Sequence, residues 1–269
     1  SPYFPHRNCT GVDIYPNLEF GENAPSPVSG EVVAIKEVDY FEDRGFGCSK
    51  VDYLVILRSL ENKERFIKIL HVKPSVDIGD EVAVGGRIGA LIRSGFFDFW
   101  TDPHIHVEVR KPFDPIRARG GLRFERLVAV DDVEVEFEEL RGTVVESKKQ
   151  YSLIVLNGNF RHGIPVNVGE EVGILDGGVP HYGWFGVHMK TRPLPSSVVK
   201  FCGTNIGTVK AIYLNMCVAQ CSGLTFKLNE KPVKLSLYLY LSTPLIKVIP
   251  INFGELELRK FENVVITIS

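Results

Sequence analysis

Apolar and polar residues alternate in short runs along almost the whole chain. Runs rich in β-branched and aromatic residues are separated by Gly, Pro, Asp or Asn, which is typical of strands joined by turns. The clearest predicted strands are Glu31–Ile35, Tyr53–Leu57, Phe66–Leu70, His104–Val109, Val133–Phe137, Ser152–Leu156 and Leu235–Leu241. Long amphipathic helical patterns are not found, and only Ile116–Arg119 is expected to form a short helical turn. The pattern therefore predicts an all-β protein.

The strand pattern is interrupted between Lys111 and Val130. Prolines and a Gly-Gly pair fall in this stretch, together with several arginines that we interpret as the solvated face of a linker. The strand pattern then resumes and continues to the C-terminus. We therefore expect a first β-rich domain over residues 1–115, a linker over 116–130 and a second β-rich domain, with no role assigned, over 131–269.

Composition and charge narrow the classes of function. The chain has 269 residues, a formal net charge of −2 and no cluster of Lys and Arg interleaved with aromatic residues. These features argue against binding to nucleic acid or to an anionic membrane surface. Apolar stretches stay shorter than the roughly 18 residues of a membrane-spanning helix. The N-terminus lacks a signal-peptide pattern and the five cysteines do not indicate a disulfide framework, so a cytoplasmic location is favoured.

Three segments of the first predicted domain place metal-compatible side chains among apolar strand residues. They are Cys9–Thr10–Gly11–Val12–Asp13, Ile69–Leu70–His71–Val72 and Pro103–His104–Ile105–His106–Val107–Glu108–Val109. His104 and His106 are two residues apart, so on a strand both project from the same face. Zinc binds His, Asp and Cys, and a catalytic zinc site keeps one position open for water. A His-x-His pair alone is weak evidence, but the three segments together indicate a metal site.

The three segments resemble, in order and approximate spacing, the motifs of the lysostaphin-type murein hydrolases, a family of zinc endopeptidases. Two further stretches support the resemblance. Ala24–Val33 is similar to the family's Pro-Val-x-Gly-x-Val strand, and Val76–Gly89 to its Gly-Asp hairpin. Biotinyl and lipoyl carrier domains share such a hairpin, but the His-x-His strand favours the peptidase family. Over residues 9–112 the resemblance implies a duplicated-hybrid-motif domain, a β-sandwich or half-barrel.

The resemblance also implies roles for five residues. The metal ligands of the family correspond to Cys9, Asp13 and His106, which would hold Zn²⁺. The two histidines beside the metal correspond to His71 and His104. In such a site the metal acidifies its water and polarises the scissile carbonyl, while an imidazole moves the proton.

Two departures from the family's motifs bear on activity. The family has His where this chain has Cys9, and Tyr where it has Ile69. A thiolate is a competent zinc ligand, but its negative charge makes the metal less electrophilic. Hydrolysis is therefore expected to be weak or lost. His6 is an alternative ligand, although its spacing to Asp13 differs from the family's motif.

Two functions remain open from the sequence. The leading hypothesis is a zinc metallopeptidase-like protein that acts on a peptide substrate. The alternative is a non-catalytic scaffold or binding module, derived from the peptidase fold, that binds a protein partner. An exposed Cys9 would also allow oxidation to release the metal.

Overall fold

The structure is a computed structural model, and it describes residues 3–125, 130, 137–158, 160, 162–240 and 243–269. The chain divides into two compact units, Tyr3–Glu125 and a unit that contains Arg126–Ser269. Antiparallel strands build both units, which confirms the all-β prediction. Among the described residues, no helix has the length and apolar character that crossing a membrane requires.

The first unit contains one short helix and nine strands. In chain order they are α1 (Phe4–Arg7), β1 (Val12–Ile14), β2 (Asn23–Pro25), β3 (Gly30–Asp39), β4 (Val51–Ser59), β5 (Phe66–Leu70), β6 (Val72–Pro74), β7 (Glu81–Val82), β8 (Arg87–Leu91) and β9 (Ile105–Arg110). Six strands form a half-barrel sheet in the order β1-β9-β5-β4-β3-β7, and β2-β8-β6 form a second sheet. Both sheets contribute apolar side chains, such as Val55 and Val107 from the first and Ile88 from the second, to one buried core.

Strand β9 lies between β1 and β5 and has two chemically different faces. Ile105 and Val107 enter the core, so the alternation of a strand directs His106 to the opposite face. The register pairs Asp13 directly with His106, and His71 follows immediately after β5. The half-barrel sheet therefore brings the three polar segments of the sequence together.

The second unit consists of two closed rings of strands. Its strands are β10 (Leu140–Ser147), β11 (Ser152–Leu156), β12 (Ile164–Val168), β13 (Glu171–Val179), β14 (Trp184–Met189), β15 (Val198–Phe201), β16 (Thr204–Tyr213), β17 (Met216–Cys221), β18 (Phe226–Leu228), β19 (Lys231–Leu237), β20 (Leu245–Pro250) and β21 (Asn263–Ile268). A β12–β13 pairing closes the ring β12-β15-β16-β17-β14-β13, and a β19–β20 pairing closes β19-β18-β21-β10-β11-β20. The two rings are joined because the end of β13 pairs with β19.

Most strand predictions agree with the structure to within a few residues. The predicted strands Glu31–Ile35, Tyr53–Leu57, Phe66–Leu70 and Ser152–Leu156 lie in β3, β4, β5 and β11. Those at His104–Val109 and Leu235–Leu241 overlap β9 and β19. The prediction at Val133–Phe137 lies, except for Phe137, outside the described residues. The helix α1 was not predicted, since four residues are too few for a helical period to register.

The stretch expected to be a linker packs, over residues 116–125, on the first unit. The backbone N–H of Leu122 donates to the carbonyl of Val109, and that of Phe124 to the carbonyl of Cys9, both at 2.8 Å. The helical turn predicted at Ile116–Arg119 is wrong, because these residues form bends. Carbonyl groups of this stretch accept hydrogen bonds from buried basic side chains instead of closing a helical turn.

Candidate metal centre

Three side chains of the first unit place possible ligand atoms close together. In the described part of the chain, His6, Asp13 and His106 form the group whose ligand atoms all lie within 4.8 Å of one another. Asp13 Oδ1 lies 3.3 Å from His6 Nε2 and 2.9 Å from His106 Nδ1. The two imidazole rings meet edge to face. Two imidazoles and one carboxylate are a donor set that fits zinc.

A tight turn after α1 brings His6 to this position. The backbone N–H and the hydroxyl of Thr10 both donate to the carbonyl of Pro5, at 2.8 and 3.2 Å. Cys9 adopts a left-handed backbone conformation, with φ 58°, which reverses the chain between α1 and β1. Gly11 then passes so close to His106 that a Cβ there would lie 2.7 Å from the ring. The turn therefore places the His6 side chain beside Asp13 and His106.

The structure differs from the sequence-based ligand set at Cys9. Asp13 and His106 lie together as expected, but Cys9 is not a member of the ligand group. The residue is only 8% exposed. Its backbone N–H donates to the carbonyl of His6 at 3.1 Å. Because the left-handed conformation of Cys9 closes the turn, the histidine three residues earlier, rather than the thiol, reaches the site.

Strong electrostatic coupling links Asp13 and His106. Burial lowers the pKa of His106, but hydrogen bonds to Asp13 and Glu108 outweigh this effect and raise the pKa to about 9. Burial likewise raises the pKa of Asp13, whereas the nearby His104 and His6 hold it well below its usual range. With these partners alone, His106 carries a proton at neutral pH, which a metal ion has to displace.

His104 is held as a neutral imidazole. Burial lowers its pKa to about 4, although the nearby Asp13 carboxylate acts in the opposite direction. Its Nδ1 donates to the carbonyl of Asp102 at 2.9 Å, so in the neutral ring Nε2 carries the lone pair. That Nε2 lies 3.7 Å from Asp13 Oδ1. Phe97 stacks on the ring, with centroids 4.6 Å apart, and fixes its plane.

His71 lies beside His104 and is held by a carboxylate. Its ring centroid is 5.1 Å from that of His104 and 6.1 Å from that of His106. Its Nδ1 lies within hydrogen-bond distance of Asp52 Oδ2, at 2.6 Å, and Phe97 contacts the ring edge to face. The structure therefore brings together both histidines to which the sequence assigned a catalytic role, next to the ligand group.

The same face of β9 continues into a buried ionic cluster. Glu108 accepts hydrogen bonds from Lys68 at 2.8 Å and from Arg110 at 2.9 Å, and all three side chains are buried. His106 Nε2 lies 3.5 Å from Glu108. The cluster thus restricts the ring of His106 from the side opposite to Asp13, as partners around a metal ligand commonly do.

Sequence reasoning did not identify Asp52 and Phe97. Asp52 is the single carboxylate in the apolar strand β4, and Asp is rarely buried unless it is paired, so this position carried a usable signal. Phe97 carried none, because one more phenylalanine among the apolar residues before β9 is ordinary.

Comparison with known proteins assigns no activity to the site. Residues 1–126, less than half of the chain, match a family described as a domain of unknown function (DUF8155), N-terminal domain. Neither a curated protein nor a solved structure matches the chain.

Proposed function

We propose that the unit Tyr3–Glu125 is a zinc-dependent hydrolase of the lysostaphin type that cleaves a peptide substrate. The observation that carries the proposal is the ligand group His6, Asp13 and His106 beside two further histidines. When bound, the metal would supply Lewis acidity and a water of lowered pKa. The half-barrel sheet and the order of the three polar segments also support the likeness to this family.

The two histidines beside the ligand group suit acid–base chemistry. His104 is neutral at physiological pH and has a lone pair on Nε2, so it can accept a proton. His71 is close enough to act on the same substrate, with ring centroids 5.1 Å apart. One imidazole can therefore take a proton from the attacking water and return it to the leaving amine, while the second ring lies close enough to contact the same substrate.

A ligand set that contains His6 instead of Cys9 changes the expected activity. A zinc ion with one thiolate and one carboxylate would be formally neutral, which is the reason to expect weak hydrolysis. With His6, Asp13 and His106 the site keeps one formal positive charge, because imidazole is a neutral ligand. The electrostatic argument for a lost activity no longer applies to this ligand set.

Zinc content distinguishes the ligand set His6, Asp13 and His106 from the sequence-based set that contains Cys9. The full chain, purified without chelator, is analysed for zinc by elemental mass spectrometry. We expect about one zinc per chain, at least tenfold weaker binding in His6→Ala and in His106→Ala, and full retention in Cys9→Ala. His162→Ala, a histidine of the second unit, is the matched control. Loss in Cys9→Ala with retention in His6→Ala would restore the thiolate set, and failure of the wild type to bind added zinc would refute the metal site.

Peptide cleavage tests the enzymatic part of the proposal. Zinc-loaded protein is incubated with cell-wall cross-link peptides and with a mixed peptide library, and products are identified by mass spectrometry. Cleavage that His104→Ala abolishes, while zinc content is retained, would support hydrolysis at this site. Stoichiometric zinc without any cleavage would refute it and favour the non-catalytic binding module.

A further inference from the structure

Asp52 is a buried carboxylate in an otherwise apolar stretch of strand β4. The residue is 1% exposed, and its neighbours Leu54, Val55 and Ile56 belong to the buried apolar residues of the unit. An ionised carboxylate in such surroundings is costly unless hydrogen-bond donors compensate for the lost water. The burial of Asp52 therefore requires several hydrogen-bond donors around its carboxylate.

Four donors from three separate segments converge on this carboxylate. The backbone N–H groups of Tyr53 and His71 donate to Oδ1 at 2.6 and 3.0 Å. Oδ2 accepts the hydroxyl of Ser94 and the Nδ1 of His71, both at 2.6 Å. Four donors fill the lone-pair sites of a carboxylate, which then acts as an acceptor only.

The protonation of this pair follows from its hydrogen bonds. Burial raises the pKa of Asp52, but the hydrogen bond from His71 and the other donors outweigh it, and the pKa lies below its usual value. Because the ionised carboxylate cannot donate, the shared hydrogen belongs to Nδ1 of His71. In the neutral ring, Nε2 then carries the lone pair.

The backbone of His71 is constrained by the same carboxylate. His71 joins β5 to β6 in a left-handed conformation, with φ 70°, which is uncommon for a residue with a Cβ. Its N–H donates to Asp52, and its carbonyl accepts the N–H of Ile92 at 3.1 Å. Strained residues of this kind persist where the surrounding structure fixes them, often at functional sites.

We propose that Asp52 is a positioning residue that holds His71 as the Nδ1–H tautomer and presents Nε2 to the substrate. Ser94 keeps the second oxygen of the carboxylate in place. In this arrangement Nε2 takes the proton of the attacking water, the ring becomes an imidazolium beside an ionised Asp52, and the proton is returned to the leaving amine. The role of Asp52 in catalysis rests on the proposed function, whereas the Nδ1–H tautomer of His71 is independent of that function.

The tautomer is measured directly by NMR. Long-range ¹H–¹⁵N correlations of the ¹⁵N-labelled full chain at pH 8 report which ring nitrogen is protonated, and His71→Gln assigns the signals. We expect Nδ1 protonated in the wild type. Asp52→Asn should shift the ring toward the Nε2–H form, because the new amide can donate to Nδ1. A wild-type His71 ring protonated at Nε2 would overturn the proposal, and so would an unchanged His71 tautomer in Asp52→Asn. If Asp52→Asn does not fold, the His71 tautomer is read from the spectra of the wild type and of Ser94→Ala.

Kinetics test the consequence for catalysis. Asp52→Asn should lower kcat for peptide cleavage by about 10²-fold, the scale of one acid–base group, with KM and zinc content nearly unchanged. Asp80→Asn, in the turn before β7, makes the same chemical change in an exposed residue and should leave kcat unchanged. Wild-type kcat in Asp52→Asn would refute the positioning role. A wild type that cleaves nothing would refute the proposed function instead, and the tautomer measurement distinguishes the two failures.

Discussion

Gly11→Ala is a small change that should act on the whole site. Gly11 precedes β1, and an added Cβ would lie 2.7 Å from His106 Cε1 and 2.7 Å from the Cβ of Pro5. The φ of Gly11 lies outside the left-handed region, so the backbone itself accepts alanine. The effect is therefore purely steric, and it acts on the turn that carries His6 and on the ring of His106.

The magnitude follows from these distances. Carbon atoms in contact are about 3.5–4.0 Å apart, so the ring, the turn or both must move by about 0.8–1.3 Å. The His106–Asp13 hydrogen bond is 2.9 Å long, and such bonds weaken beyond about 3.2 Å. Overpacking costs about 1–3 kcal/mol, from which the entropy gain of Gly→Ala removes about 0.4–1 kcal/mol. We expect a net loss of about 1–2 kcal/mol and at least tenfold weaker zinc binding.

Urea denaturation measures the stability of the first unit in a Trp184→Phe background, where Trp100 is the remaining tryptophan. The control is Gly47→Ala, because a Cβ there meets nothing within 4 Å and φ is again outside the left-handed region. The control should stay within about 0.5 kcal/mol of the wild type. If Gly11→Ala matches the control in both stability and zinc affinity, the close packing of the turn against His106 is refuted.

Two further predictions concern buried ionisable side chains. Glu108→Gln leaves Lys68 and Arg110 buried without their carboxylate, so it should lower the free energy of unfolding, measured by urea denaturation, by about 3–5 kcal/mol. The exposed Glu61→Gln should leave the free energy of unfolding unchanged, and equal effects of the two substitutions would contradict a buried ionic cluster. In the second unit, burial lowers the pKa of His181 to about 3, from the value of about 6.5 that the unfolded chain has. The contribution of the neutral ring to folding stability is therefore complete above about pH 6.5 and is lost as pH falls toward 3. His181→Asn should remove about 1–2 kcal/mol of the loss in folding stability between pH 7 and 5. Urea denaturation followed through Trp184 measures this loss, and identical curves of stability against pH for variant and wild type would refute the prediction.

Much of the fold could be predicted because strand patterns are local. The boundaries of β5 and β11 match the predicted strands Phe66–Leu70 and Ser152–Leu156, since each is a compact run of apolar residues between turn residues. The packing of residues 116–125 could not be predicted. Proline, glycine and arginine look like an exposed linker, and only long-range hydrogen bonds hold that stretch on the first unit.

The candidate site was partly accessible from the sequence. Asp13, His71, His104 and His106 were identified, because polar residues interrupt apolar strand patterns at those positions. The structure places these four side chains together. His6 was named only as an alternative ligand, since its distance along the chain from Asp13 does not fit the motif that drew attention to Cys9.

The sequence by itself determined that the chain is all-β and that His104 and His106 share a strand face, because side-chain direction alternates along a strand. Only the tertiary structure decided that His6 rather than Cys9 approaches Asp13, and that Asp52 holds His71. The first depends on the left-handed conformation of one turn residue, and the second on a hydrogen bond across 19 positions of the chain. Sheet register and turn conformation determine both contacts, and a one-dimensional pattern of apolar and polar residues does not encode the distances between segments.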